Sequence, residues 1–177
     1  MKNEKVEKLS SSGRKGPLQV LPTETYFALV REKLAENGQA YVRVTGTSMQ
    51  PLLRHLRDGV IIEPPGRIRP GDIVLFDRRN GRYALHRVIR IQGDRFTMAG
   101  DNQWYLDRDL PLNQVVGVVR WVDRGGRKIS CEKFFMKMYA RVVTALSVPR
   151  INIRRAVGWL VKPFRRAGSD HRKGERG

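Results

Sequence analysis

Cysteine is almost absent from this 177-residue chain, in which Cys131 is the only one. A single cysteine excludes an intramolecular disulfide and a cysteine-rich zinc site, and we expect no metal or cofactor. The sequence also lacks any run of the roughly 18–20 apolar residues that a membrane-spanning helix needs. Its basic N-terminus is not followed by an apolar stretch, so it does not have the form of a secretory signal. We therefore expect a protein that is cytoplasmic or peripheral at a membrane, without a signal peptide or transmembrane segment.

Lysine is missing from the centre of the chain, between Lys33 and Lys128, although arginine is frequent there. Arginine stays protonated and cannot take a proton from a nucleophile, so the central region cannot use a serine–lysine pair. Histidine is scarce as well, and only His55 and His86 lie in this region. The candidates for a general base are therefore few.

Positive charge is concentrated towards the C-terminus of the chain, whose formal net charge is +18. Residues 127–177 hold fourteen Lys/Arg against three acids, which gives +11, whereas residues 17–126 hold sixteen against twelve, which gives +4. Residues 1–16 contribute the remaining +3, from five Lys/Arg and two Glu. Such charge is typical of proteins that meet nucleic acid or an anionic membrane, and here it belongs mainly to the C-terminal extension.

The N-terminal part of the chain predicts a lead-in followed by one helix. Residues 1–21 are rich in Lys, Ser, Glu and Gly, a composition that predicts disorder. Residues 22–38 predict a short helix with Thr23 as its N-cap and Gly38 as its stop. Its apolar face would consist of Tyr26, Phe27, Val30 and Leu34.

Residues 39–126 change to a different periodicity. Short runs rich in Val and Ile alternate with turn sequences, and Asn80-Gly81 between two such runs is a strong hairpin signal. This pattern predicts an antiparallel, mainly β domain.

The C-terminal extension, residues 127–166, predicts two basic amphipathic helices that Pro149 separates, and residues 167–177 form a loose tail. The helices could pack on the domain or on each other. They could also lie on an anionic membrane surface, a possible peripheral partner.

The stretch TGTSMQP ends a predicted strand and makes Ser48 either a turn residue or a nucleophile. A nucleophilic serine needs a base and a group that orients the base. His86 lies in the strand-like sequence YALHRVIRI, and the segment GDNQWYLDRD supplies Asp101 and Asp107. Taken singly, each of these residues has an ordinary structural interpretation, as a turn residue or a half-buried polar group, and His55 has the setting of a surface turn residue.

In order and spacing these motifs resemble the catalytic domain of type I signal peptidases, in the variant that uses histidine instead of lysine. The matching motifs are Ser48-Met49 with Pro51, Gly71-Asp72, His86-Arg87, Gly100-Asp101-Asn102 and Asp107. The resemblance covers about residues 40–123, roughly half of the chain. One such motif would be weak, but five in the right order are specific.

The resemblance implies a curved, mainly β antiparallel fold that binds a peptide or protein substrate as an extended strand and cleaves it as a serine endopeptidase. Ser48 would be the nucleophile, His86 the general base and Asp107 the residue that orients the imidazole. Asp101 would support the site from the same loop, and which of the two aspartates orients His86 stays open. Gly46 would let a substrate carbonyl approach closely, and the backbone N–H of Ser48 would donate to the oxyanion.

The chain departs from the family pattern in three ways. Gly46 stands where the family often has a serine, Gln103 replaces a second asparagine, and the helix of residues 22–38 stands where a membrane anchor normally precedes the serine. The helix in place of a membrane anchor favours an enzyme that trims a particular peptide or protein over one that removes secretory signals.

Other classes of function remain open. One is a catalytically inactive peptidase-like domain that binds peptides. A less favoured one is a nucleic-acid-binding protein that uses the basic extension, although no nucleic-acid partner is expected. Self-cleaving repressors share the β fold, but they use Ser-Lys chemistry and a helical DNA-binding domain, for which a single helix is too little.

Overall fold

A computed structural model of the chain describes residues 22–79 and 81–167, with backbone alone from residue 154 onward. The predicted lead-in, Asn80 and the predicted tail beyond Ala167 lie outside the described residues. The described elements are α1 (Thr23–Asn37), β1 (Ala40–Arg43), β2 (Asp58–Glu63), β3 (Ile73–Asp77), β4 (Tyr83–Gln92), β5 (Arg95–Ala99), β6 (Asp107–Pro111), β7 (Val115–Arg124), β8 (Arg127–Ser130) and α2 (Phe134–Ala167), with a short 3-10 helix, Leu112–Gln114, before β7.

Helix α1 confirms the predicted helix but not its predicted cap. Pro22, with an extended ψ of 140°, takes the cap position, and no side chain caps the helix. Thr23 is therefore the first helical residue, one position later than a cap would be. Gly38 ends the helix in the left-handed region at φ 67°, and its N–H donates to the carbonyl of Leu34 at 3.0 Å, as predicted. The predicted apolar face, Tyr26, Phe27, Val30 and Leu34, packs in the core.

The eight strands form one antiparallel sheet in the order β1-β2-β7-β3-β4-β5-β6, with β8 paired to β7. This confirms the prediction of a mainly β, antiparallel domain. Register shifts interrupt the β2/β7, β3/β7, β4/β5 and β5/β6 ladders, and such irregularities bend strands and curve a sheet. The sheet also continues past residue 126, where we placed the end of the domain, because β8 folds back on β7.

Both faces of the sheet carry apolar clusters. Successive residues of a strand point to opposite faces, and in β3 Ile73 and Leu75 join the cluster that α1 and α2 cover. Val74 and Phe76 point the other way, into a second cluster. A central strand buried on both faces explains the uninterrupted apolar run Ile-Val-Leu-Phe.

The C-terminal extension contains one long helix, so the prediction of two helices is wrong. Helix α2 continues through Pro149. A proline removes one backbone hydrogen bond and crowds the carbonyl four residues earlier, which weakens a helix at one point. Here the helix is held to the domain on both sides of Pro149, since Ser147 and Ile151 are both buried. Tertiary packing therefore outweighs the local cost.

Candidate active site

Ser48 lies in the turn after β1 and is half-buried. Two residues earlier, Gly46 has a backbone conformation that favours glycine. Gly46 has a φ of 92°, a region that residues with a Cβ rarely adopt, and no other atom lies within 4 Å of the place a Cβ would take. The N–H of Gly46 donates to Nδ1 of His55 at 2.8 Å. His55 is exposed, as predicted, and through this hydrogen bond its ring holds the backbone two residues before Ser48. Met49 is buried beside it.

The loop of residues 100–103 holds the backbone of Ser48. The N–H of Asn102 donates to the carbonyl of Ser48 at 2.7 Å. A Cβ on Gly100 would lie 2.5 Å from that carbonyl oxygen, so only glycine allows the two segments to pack this closely. The side chain of Gln103 accepts a hydrogen bond from the N–H of Gly100 at 3.0 Å and closes the loop. The Gly-Asp-Asn motif thus positions the serine through backbone contacts.

His86, on β4, is buried and contacts Asp107 at the start of β6, with 3.2 Å between Nδ1 and Oδ2. An ionised carboxylate only accepts hydrogen bonds, so Nδ1 carries a proton, and in the neutral imidazole Nε2 is the acceptor. Arg78 donates to the same Oδ2 at 2.6 Å. Burial by itself would raise the pKa of Asp107, but the hydrogen bonds from His86 and Arg78 outweigh it and lower that pKa. Asp107 is therefore held as an anion beside the imidazole.

Asp101 has another partner. Its carboxylate forms a two-point contact with the guanidinium of Arg87, at 2.8 Å from Nε and 2.7 Å from Nη2, and both side chains are buried. Tyr139 donates to Asp101 Oδ2 at 3.2 Å. We expected Asp101 to support the site from its loop. Asp101 lies in that loop, but its carboxylate binds Arg87 and not His86. Its link to the site is the backbone of the loop, where the next residue, Asn102, donates to the carbonyl of Ser48.

The residues that sequence reasoning missed come from outside the motifs. Arg150 of α2 donates to the backbone carbonyls of Asp101 and Gln103, the latter at 3.1 Å. With Tyr139, it ties α2 to the loop that holds Ser48. No motif marks these residues, because their partners lie 38 and 49 residues away along the chain. Arg78 had no signal either, apart from lying in the predicted turn sequence DRRNGR.

Ser48 and His86 line the same cleft, of about 580 Å³. Its lining is mixed: apolar side chains such as Phe27 and Leu85 alternate with polar ones, among them Arg43, Arg78 and Arg82. Across residues 22–79 and 81–167, neither the hydroxyl nor the backbone N–H of Ser48 has a hydrogen-bond partner. In enzymes without substrate, the hydrogen bonds of catalytic groups are often long or poorly aligned, and they tighten when substrate binds. The serine N–H is thus available to a ligand.

The described residues offer no second site with the same groups. A larger cleft, of about 790 Å³, lies between α2 and the start of β3, but neither Ser48 nor His86 lines it. No cluster of three or more metal-ligating side chains occurs in the part of the chain that the structure describes.

An antiparallel sheet that brings together a serine turn, a buried His–Asp pair and a Gly-Asp-Asn loop defines a peptidase-like domain. A family model described as "Peptidase S24-like" matches residues 10–121, and the chain belongs to that family. The family match supports the peptidase-like part of the resemblance, and α2 lies beyond the matched range. A search of curated proteins found no match.

Proposed function

We propose that this protein is a serine endopeptidase of the signal-peptidase-like type, with Ser48 as nucleophile, His86 as general base and Asp107 as the residue that orients the base. One observation carries this proposal. The buried contact between His86 and Asp107 leaves an acceptor nitrogen on an imidazole that lines the same cleft as Ser48. These are the three parts that serine acyl transfer requires.

The reaction follows from these positions. A substrate peptide binds in the cleft as an extended strand, and Ser48 Oγ attacks its carbonyl carbon while Nε2 of His86 takes the hydroxyl proton. The backbone N–H of Ser48, which has no partner in the described structure, donates to the oxyanion. The imidazolium then gives its proton to the leaving amine, the peptide bond breaks, and water releases the acyl group by the same steps.

Arg78 supports this chemistry through Asp107. The imidazolium that forms during the reaction is stabilised by an anionic neighbour, and the hydrogen bond from Arg78 helps to keep Asp107 ionised. Arg78 and His86 both contact Oδ2 of Asp107, and Arg78 belongs to the loop between β3 and β4. The ring orientation of His86 is therefore coupled to the position of that loop.

Serine–lysine chemistry, which self-cleaving repressors use, does not fit the same cleft. No lysine occurs between Lys33 and Lys128, and Lys33 itself pairs with Glu36 on the exposed side of α1. A histidine base therefore fits this member of the family better.

A second candidate is a catalytically inactive domain that binds peptides. The observation that favours it is that no hydrogen bond joins Ser48 to His86 in the described structure. The same cleft would then bind an extended segment without cleaving it.

Peptide cleavage by the purified protein tests both candidates. Peptides with small residues at alternate positions would be incubated with wild type, Ser48→Ala and the control Ser130→Ala, and the products identified by mass spectrometry. Ser130 is a suitable control because it lies on β8 and does not line the cleft. We expect cleavage by wild type and Ser130→Ala alone.

Each other outcome has a clear meaning. Equal cleavage by Ser48→Ala would refute the assignment of the nucleophile. Binding of the peptides without cleavage, measured by fluorescence anisotropy, would establish the inactive binding domain.

A further inference from the structure

Helix α2 leaves a row of large apolar side chains uncovered. Its other side packs on the domain through Met136, Ser147 and Ile151, which are all buried. The uncovered residues, here called the apolar stripe, are Phe135, Met138, Val142, Leu146 and Ile153, with exposed fractions of 55%, 41%, 50%, 56% and 63%. Successive members are three, four, four and seven residues apart, a spacing that places them on one face of a helix. Phe134, at the start of the helix, is 80% exposed.

The charge of α2 is uniformly positive. The helix contains Lys and Arg but no Asp or Glu along its 34 residues. Arg141 is exposed beside the apolar stripe, and Lys137 is exposed and pairs with Glu132 at 2.6 Å. From residue 154 to Ala167 the sequence adds five Lys/Arg. A large apolar face flanked by cations is typical of helices that lie in the interface of an anionic membrane.

No helix in the described part of the chain is long and apolar enough to cross a membrane, so α2 would have to lie along the surface. We propose that α2 docks this protein on an anionic lipid surface, with the apolar stripe inserted between headgroups and its cations facing lipid phosphates and carboxylates. The proposal concerns location and does not depend on the catalytic assignment.

Charge favours lipid over other occupants of the stripe. Two copies meeting through the apolar stripe would bring together two helices that each contain eight Lys/Arg and no Asp or Glu, although Lys137 pairs with Glu132 and Arg150 binds the loop of residues 100–103. Nucleic acid would neutralise the cations but would leave the aliphatic side chains of the stripe in water, since nucleic acids are bound through phosphates and stacked bases. An anionic bilayer satisfies both the charge and the apolar surface.

Vesicle co-sedimentation tests the proposal without any catalytic step. The full-length Ser48→Ala protein would be mixed with vesicles of phosphatidylcholine alone, or of phosphatidylcholine with phosphatidylserine, at low and high salt. We expect binding to the anionic vesicles, weaker binding at high salt because screening shortens the range of attraction, and little binding to the neutral ones.

A matched pair of substitutions identifies the surface. Leu146→Glu changes the stripe, and Leu29→Glu makes the same change on α1, where Leu29 is 45% exposed and outside the apolar clusters. Both alter net charge equally and both sites are solvent-exposed, so circular dichroism should show intact folds. We expect Leu146→Glu to weaken vesicle binding by about tenfold or more, and Leu29→Glu by less than about threefold.

Three results would overturn the proposal. They are absence of binding to the anionic vesicles, equal binding to neutral vesicles, and equal effects of the two substitutions. Sedimentation of the free protein as a dimer that Leu146→Glu dissociates would assign the stripe to a second copy of the chain.

Discussion

Removing the charge of Asp101 should destabilise this fold far more than removing a charge from its surface. Arg87 and Asp101 are 2% and 4% exposed, and contacts of 2.8 and 2.7 Å join them. Loss of one partner from a buried pair leaves the other charge uncompensated, which costs about 3–5 kcal/mol. We expect Asp101→Asn to lower the free energy of unfolding by about 3 kcal/mol or more. For a chain of this size that corresponds to a fall of about 6–12 °C in Tm.

Urea unfolding followed by circular dichroism measures this effect. Glu36→Gln is the control, since it removes a carboxylate from the exposed pair with Lys33, and it should unfold close to wild type. Arg87→Met and the double variant with Asp101→Asn complete a mutant cycle. Because the double variant leaves no unpaired charge, it should be more stable than the sum of the single effects predicts.

A loss of less than about 1 kcal/mol in Asp101→Asn would refute this reasoning, because so small an effect is typical of a solvated surface pair. It would mean that the pair between Asp101 and Arg87, which joins the loop of residues 100–103 to β4, is hydrated in solution. The contact of Asp101 with Arg87 would then not be what holds the backbone beside Ser48.

Three substitutions and one labelling experiment test other parts of the structure. Asp107→Asn should lower kcat by about 10⁴, the scale of tautomer loss in serine proteases, and unchanged peptide cleavage would remove Asp107 from the site. Arg150→Met should lower kcat more than it raises KM and should speed hydrogen exchange at the amide of Asn102, and protection equal to wild type would show that α2 does not hold the loop. Burial raises the pKa of the Cys131 thiol to about 11, so at neutral pH maleimide should label this half-buried cysteine more slowly in the folded protein than after denaturation, and equally fast labelling of the folded protein would contradict its environment. Burial also raises the pKa of Asp72, although a backbone hydrogen bond opposes this shift. The folded state therefore binds this proton more tightly than the unfolded state, and the free energy of unfolding falls as pH rises through the raised pKa. Asp72→Asn should abolish that fall in urea titrations at acidic and neutral pH, and an unchanged pH profile would refute it.

The sequence determined the elements whose signals are local. Alternating apolar residues and turn signals were sufficient for the antiparallel sheet, and Gly38 was sufficient for the end of α1, because such patterns reflect contacts between near neighbours in the chain. The order and spacing of the motifs also pointed to Ser48, His86 and Asp107 as candidates. Their chemistry follows from residue type, and residue type is what a sequence displays.

Only the tertiary structure decided which of these residues meet. Asp101 and Asp107 belong to one short segment, yet strand pairing sends Asp107 to His86 and leaves Asp101 to Arg87. Adjacent residues on β4 point to opposite faces of the sheet, so neighbours in sequence have different partners in space. Arg150, 49 residues beyond Asp101, reaches that loop because α2 continues through a proline. Contacts of this kind depend on packing across the whole domain, and no local pattern in the sequence encodes them.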